Sequence, residues 1–280
     1  MSIRFNCKTS EAYYIKVLAE LLTNNLKTGC FEVDKNGIFL RMFDHHRKTL
    51  VDLSLDAENF TIFRFKNESK FSLGLNLNHF HKMLKSIKKK DSLELFIEPN
   101  NSNELGIKTI PKENTRVTTS GIKIQSIQNL EIDVPSGYRK PVIVPSTEFQ
   151  KMCKDLNSIG STNITVIAKN FHIEFIADAD GILKRKVSFG ENQENYEFDE
   201  DNIEEYKATF ATDQLIRITK LAGLGTNMQI FSGTKNLPLL FKSSVGSLGK
   251  ISIYVKSKEL VDQELNSYDS EEDSSDEDSD

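Results

Sequence analysis

The two halves of this 280-residue sequence follow one plan. Each is mostly short segments of alternating apolar and polar residues, the period of half-buried strands. Each has only two stretches with apolar residues at the three-to-four spacing of a helix. A strand-rich plan with two helices, written twice, predicts two similar domains. The apolar helix stripes of such domains must be buried against sheet faces.

The first half opens with a short strand at 2–7. Tyr14, Val17, Leu18, Leu21 and Leu22 then trace a helical face that stops near Asn24 and Asn25. Strands are expected at 30–34, 38–43, 49–55, 60–65 and 70–76, with Asn36-Gly37 supplying a hairpin turn. Phe80, Met83, Leu84 and Ile87 form the second helical stripe, followed by strands at 92–98, 104–110 and 115–127. In the second half, Ser146 is read as an N-cap before the stripe Phe149, Met152, Cys153 and Leu156. Strands follow at 163–169, 171–178 and 182–188, then an acidic segment at 191–205 and a strand at 206–210. A helix with Leu215, Ile218 and Ala222 on one side precedes strands at 227–232, 237–243 and 250–256.

Between the halves, QNLEIDVPSGYRKP at 128–141 lacks sustained periodicity and holds two prolines and a glycine, so it reads as a connector. Leu130, Ile132 and Val134 nevertheless alternate within it. Such a connector is either pinned to a sheet or helps form a binding groove. The domain boundaries are therefore 1–127, a connector at 128–141, and 142–261, followed by a tail at 262–280.

Charge is divided unevenly along the chain. The formal net charge is -5, but the tail holds ten of the 41 acids and no base; the remaining 31 acids face 36 bases, so the body is formally +5. A tail with so few apolar residues cannot offset its ordering entropy and is expected to be disordered. It serves either to solvate the chain or to meet a partner, and it would repel DNA from the outer surface. Basic residues gather opposite the helical stripes: His79, Lys82, Lys85 and Lys88–Lys90 on the second helix, Lys151 and Lys154 on the third, and Arg217 and Lys220 on the fourth. Lys16 is the sparse contribution of the first, weakened by Glu11 and Glu20. For one helix, lysines near the C-terminus are equally a solvated end favoured by the helix dipole. Four such helices on one surface would make a continuous positive field suited to phosphates without base readout.

Other chemistry finds little support. No apolar run approaches the roughly 20 residues of a membrane-spanning helix, and the start of the chain lacks a signal-peptide pattern, so an intracellular protein without a membrane partner is expected. Cys7, Cys30 and Cys153 are too widely spaced for a zinc site, and the pairs His45-His46 and His79-His81 lack further ligands, so no metal or cofactor is expected. There is no GxxxxGK[ST] loop and no GxSxG elbow, so the chain is not expected to be an enzyme. Asp44 beside His45 would be the one acid–base pairing to weigh.

Several segments occur in one family's order and spacing: GIFLRMFDHHRKTLVDLSL, KFSLGLNLNHFHKMLK, VPSTEFQKMCKDLNSIG with NITVIAK, and LPLLFKSSVGSLGKISIYVKSK. Over nearly all of residues 1–258 the chain resembles the proliferating cell nuclear antigen family of DNA sliding clamps. The resemblance implies an α+β DNA clamp fold: two similar sheet-rich domains, each with two inner helices, closing a ring by edge-strand pairing. It implies a homotrimer that encircles duplex DNA without sequence preference, as polymerase processivity factor and recruitment platform in replication and repair. The alternatives are a subunit of a heterotrimeric checkpoint-type clamp or a monomeric viral processivity factor.

By resemblance, Lys16, Lys82, Lys85, Lys151, Lys154 and Lys220 would face DNA, with Arg217 beside them, while Asp213 replaces a usual basic residue. The pocket for partner peptides would comprise Phe43, Ile132, Val134, Pro238 and Tyr254. Through it the chain would engage a DNA polymerase, a clamp loader, and a ligase or flap nuclease. Phe43 stands for a family methionine, Arg47 for a histidine, and Lys256-Ser257 for an alanine-proline pair. Ring edges would lie near 115–123 and 182–188. Lys169 matches a lysine the family modifies with ubiquitin, although Asn170-Phe171 replaces the usual Asp-Gly, and a solvated strand-end lysine is the alternative reading. The nucleus is the expected compartment, or a viral replication compartment if the source is a large DNA virus rather than a protist.

Overall fold

The computed structural model describes residues 5–66, 69–113, 116–190, 205–234 and 236–273. The expected strand start at 2–4, most of the acidic segment 191–205, and residues 274–280 of the tail lie outside the described residues.

The first domain runs β1 (Phe5–Thr9), α1 (Ala12–Asn25), β2 (Thr28–Val33), β3 (Gly37–Phe43), β4 (Thr49–Asp56), β5 (Ile62–Phe65) and β6 (Phe71–Asn76). It ends with α2 (Leu77–Leu84), β7 (Ser92–Glu98), β8 (Asn101–Ile110) and β9 (Thr118–Lys123). The second runs β10 (Val142–Pro145), α3 (Ser146–Asn157), β11 (Asn163–Lys169), β12 (His172–Ala179), β13 (Leu183–Gly190) and β14 (Tyr206–Ala211). It continues with α4 (Thr212–Arg217), a 3-10 turn at Thr219–Gly223, β15 (Asn227–Phe231), β16 (Leu239–Val245), β17 (Gly249–Val255) and α5 (Lys258–Asp273).

The repeat visible in the sequence is a repeat of pairing. β1 pairs with β7, β7 with β8 and β8 with β9; likewise β10 pairs with β15, β15 with β16 and β16 with β17. β6–β2–β3–β4 is matched by β14–β11–β12–β13. The domains fuse where β17 pairs antiparallel with β4, from Gly249↔Leu55 to Val255↔Thr49, giving one eight-stranded sheet across the boundary. Their counterparts β9 and β13 are edge strands, each paired on one side among the described residues.

Four helices cover the sheets. α1 packs against α2 and against the 219–223 turn, and α3 packs against that turn and α4, so the layer runs unbroken across the domains. The approach is close: a Cβ on Gly223 would stand 2.8 Å from Val17 Cγ1, so only glycine lets this turn lie on α1. The stripes Ile15, Leu18, Leu22 and Phe149, Met152, Leu156 are buried in the shared core.

Local chemistry sets the helix limits and corrects several expectations. The Asn76 side chain accepts the His79 N–H at 3.0 Å and starts α2, which ends at Leu84. The Asp91 carboxylate accepts the Lys88 N–H at 2.8 Å and its own N–H bonds the Lys88 carbonyl, a local turn that competes with helix. Lys88–Lys90 therefore sit on a turn, and Met83 is 38% exposed rather than part of the stripe. Ser146 does not cap α3: it is the first helical residue, buried, and its hydroxyl has no protein partner. Beyond α4 the backbone tightens to three residues per turn, so Leu215, Ile218, Leu221 and Leu224 point inward, and Leu221 takes the place expected for Ala222.

The largest difference is at the C-terminus. Where a disordered tail is expected from 262, helix α5 extends through Asp273 and packs on the β14 edge. Both Glu259 carboxylate oxygens accept the Thr209 N–H, at 3.1 and 3.0 Å, and Ser257 Oγ caps the helix through the Leu260 N–H. Leu260 is 9% exposed. Composition misses this because two or three contacts anchor an otherwise polar helix.

Candidate functional site

Two surfaces gather the residues singled out in the sequence. The first is the helical layer. Lys82 and Lys85 at the end of α2, and Lys154 on α3, are exposed. The other cations are held by neighbours. Lys16 Nζ donates to the Ile87 carbonyl at 2.9 Å and lies 6.0 Å from the Tyr13 ring centroid. Lys220 pairs with Glu20 at 2.7 Å, tying the 219–223 turn to α1. Lys151 pairs with Glu148 at 2.7 Å, and Arg217 with Asp213 at 2.5 Å. These exposed pairs add little stability, but they lower the local positive field.

His81 reports on that field. Partial burial holds its imidazole below the ordinary range; Glu20 pulls it upward, and the positive charges of Lys85, Lys16 and Lys220 press it down further. Residues from α1, from the α2 end and from the 219–223 turn thus act on one imidazole. Spatial convergence of this kind is what a shared electrostatic surface requires.

The second surface is built by strand register. Phe231 pairs with Leu240, Leu240 with Tyr254, Tyr254 with Leu50, and Leu50 with Phe43. Five side chains from β15, β16, β17, β4 and β3 thereby form one apolar row crossing the domain seam, on the sheet face opposite the main core. Leu50, Leu240 and Tyr254 are buried there, and Phe43, Phe231, Ile132, Val134 and Tyr138 pack on them partly exposed.

The connector covers this row because it is pinned along its length. Just before it the Gln125 N–H bonds the Gly74 carbonyl at 2.8 Å; within it Asn129 bonds Glu32 at 2.7 Å, and Arg41 donates to the Ile132 carbonyl at 3.1 Å while pairing with Asp52. Tyr138 donates its hydroxyl to the Pro238 carbonyl at 2.9 Å, and its ring lies edge-on to Phe231 with centroids 6.4 Å apart. Burial pushes the Tyr138 phenol above its ordinary range, so it remains a donor. Of the connector's three alternating apolar residues, Ile132 and Val134 turn inward and Leu130 is 61% exposed. The rim is cationic: the Arg47 guanidinium and the Lys256 ammonium each lie 5.4 Å from the Phe43 ring centroid. Lys256 also pairs with Glu264 of α5 at 2.6 Å. The result is a half-open apolar surface with basic edges, suited to an extended peptide bearing apolar side chains.

Phe43, Ile132, Val134 and Tyr254 thus lie in one cluster, and Pro238 joins it through its carbonyl. Sequence reasoning missed Leu50, Tyr138, Phe231 and Leu240. No local pattern marks them, because strand pairing brings them together; in β17, at the centre of the row, every residue from Ile251 to Val255 is buried, so both faces of that strand are covered. Lys169 is exposed at the end of β11, before Asn170 with φ 54°. Asp44 is a turn residue, accepting the N–H groups of Lys48 and Thr49 at 2.7 and 2.8 Å. Cys7, Cys30 and Cys153 are all free and buried, and burial raises the Cys153 thiol to about 12. No group of three or more potential metal ligands occurs among the described residues.

Comparison with known proteins adds an independent line. The family model of the proliferating cell nuclear antigen N-terminal domain matches residues 4–134, and that of the C-terminal domain matches residues 134–258. The chain is 24% identical over 258 residues to the probable DNA polymerase sliding clamp 1 of Paramecium bursaria Chlorella virus 1, covering 91% of this chain and 97% of that protein. In fold, it is similar to the crystal structure of proliferating cellular nuclear antigen from Entamoeba histolytica, with a TM-score of 0.79, 19% identity, and coverage of 92% of this chain and 100% of that one.

Proposed function

The chain belongs to the proliferating cell nuclear antigen family, and we propose that it is a DNA sliding clamp that closes as a ring of three copies around duplex DNA. The observation that carries this reading is the β17–β4 seam. The fold repeats, β9 is the counterpart of β17, and β13 is the counterpart of β4. Joining β9 of one copy to β13 of the next repeats a contact the chain already makes within itself. A heterologous contact repeated in this way closes into a ring when the rotation fits.

In such a ring the helical layer lines the hole. Lys16, Lys82, Lys85, Lys151, Lys154, Arg217 and Lys220 then meet phosphates. Lysines provide flexible point charges rather than a rigid fork for base edges, so contact is compatible with movement along DNA. The row under the connector receives peptides of the replicative DNA polymerase and clamp loader, and of ligase or flap nuclease. Work on DNA places the protein in the nucleus, or in a viral replication compartment for a virus-encoded chain. The chain acts as a scaffold, with catalysis supplied by its clients. Exposed Lys169 is a candidate acceptor for ubiquitin.

The test is absolute mass in solution by light scattering, with retention on closed circular DNA after loading. A species near three times 31.8 kDa, retained on circles and lost on linearisation, is expected. A persistent monomer favours the monomeric processivity factor, and stable assembly only with a different clamp-like chain favours the mixed ring.

A further inference from the structure

One end of the apolar row carries charge that apolar packing does not require. Arg47 and Lys256 come from different domains, yet each places its cationic group 5.4 Å from the Phe43 ring centroid. Backbone contacts fix both positions. The Asp44 carboxylate accepts the Lys48 and Thr49 N–H groups, the Asp44 carbonyl accepts the Arg47 N–H at 3.0 Å, and the Lys48 carbonyl accepts the Lys256 N–H at 2.9 Å. Arg47 is held at φ 55°, a left-handed conformation that a long side chain adopts only at a cost, so the turn imposes it.

The rim already holds a carboxylate. Lys256 is paired at 2.6 Å with Glu264, whose helix α5 is fixed at its start by Ser257 Oγ and along its side by the Glu259 bonds to Thr209. The Lys256 side chain is 14% exposed and the Glu264 side chain 45%. A carboxylate on so covered an ammonium is worth more than an ordinary surface pair, whereas the half-exposed Glu264 loses little on release to water. Arg47 makes no ion pair among the described residues. Two cations against one carboxylate leave the rim with an excess positive charge beside the ring.

We propose that this rim is an anion subsite of the peptide surface: a peptide bound on the row places an aspartate or glutamate beside Phe43, where it takes Lys256 from Glu264 and adds Arg47. Helix α5 is then a built-in competitor, keeping the subsite filled by a carboxylate of the chain until an acidic peptide arrives. The inference rests on the reading of the row as a peptide surface and adds the chemical class of peptide it selects. Because the selection is electrostatic, it depends on salt.

The experiment titrates the full chain with a polymerase-derived clamp peptide made in two forms, with glutamate or with glutamine flanking its apolar side chains. Calorimetry from low to high salt reads the affinities, and circular dichroism confirms that each variant folds. The glutamate form is expected to bind about tenfold tighter at low salt, with the advantage shrinking as salt screens it. Arg47→Gln with Lys256→Gln is expected to remove the preference, and Glu264→Gln to strengthen binding of the glutamate form about threefold, more than that of the glutamine form. Equal, measurable affinity for the two forms sinks this inference while the peptide reading stands. If neither form binds, the peptide reading itself fails, and this inference with it. If Arg47→Gln with Lys256→Gln weakens both forms equally, the cations only pack on Phe43 and the anion subsite is overturned. If Glu264→Gln weakens the glutamate form, α5 supports the peptide and the competitor assignment is overturned.

Discussion

β17 and β4 meet inside the chain with apolar side chains on both faces, whereas their counterparts β9 and β13 are exposed along most of their length. Ile251, Ile253 and Val255 are fully buried on β17, and Tyr254 lies on the other face beneath the connector. On β13, Leu183, Lys184, Arg185 and Lys186 are exposed, as are Thr118, Thr119 and Lys123 on β9. In the proposed ring, one backbone geometry would serve two chemical settings. The first makes a permanent joint resembling a domain core. The second carries charges that keep unpaired edges from associating without control, and it suits a contact that must form and part.

Placing a charge in the internal joint should have the largest effect. Ile253→Asp buries a carboxylate opposite Val51 and Phe241; it is expected to cost about 4 kcal/mol or more in denaturant unfolding, and to leave little folded chain. Tolerance of this change would erase the contrast between the two seams. On the open edge, Leu183→Asp should leave unfolding of the monomeric chain within about 0.5 kcal/mol of wild type. It should weaken self-association about tenfold, roughly 1.4 kcal/mol, by sedimentation equilibrium; an equal loss of monomer stability would show that this edge is structural.

The connector side of the internal seam sharpens the comparison further. Val134→Asp puts a charge on the half-open cover without entering the paired strands. Binding of a polymerase-derived clamp peptide, followed by calorimetry, is expected to fall about tenfold with mass unchanged. Unaltered affinity would remove Val134 from the peptide surface.

The smallest effect concerns α5. Burial raises the Glu259 carboxyl, but the Thr209 N–H and further hydrogen bonds outweigh it, and the group ends below the ordinary glutamate range. Its folded value is thus lower than its unfolded one. The contribution is complete above the unfolded value and is lost as pH falls through the folded value. Glu259→Gln is expected to cost about 1 kcal/mol near neutrality, and nothing once both chains are measured in acid below the folded value. A cost that persists in acid would mean that packing rather than charge holds the helix to β14.

Long stripes such as Ile15, Leu18, Leu22 and Phe149, Met152, Leu156 were legible because helical periodicity is local. The same rule failed where the backbone left α geometry. Helical spacing places Met83 in a stripe whose helix ends one residue later, and it places Ala222 where Leu221 is buried, because the three-residue spacing of a 3-10 turn is invisible to a 3.6-residue template. Of the apolar row, Phe43 and Tyr254 were reached through family resemblance. Leu50, Leu240 and Phe231 were not, since strand pairing alone makes them neighbours.

Local pattern is enough to specify the repeated two-domain plan, the basic side of the helices and the acidic end, because periodicity and charge are properties of neighbouring residues. Tertiary structure decided which strands fuse the domains, which edges remain open, how Tyr138 and the connector cover the row, and that α5 folds onto β14. Those outcomes depend on register and on contacts between residues tens to hundreds of positions apart, where a shift of one residue turns every side chain to the opposite face of the sheet.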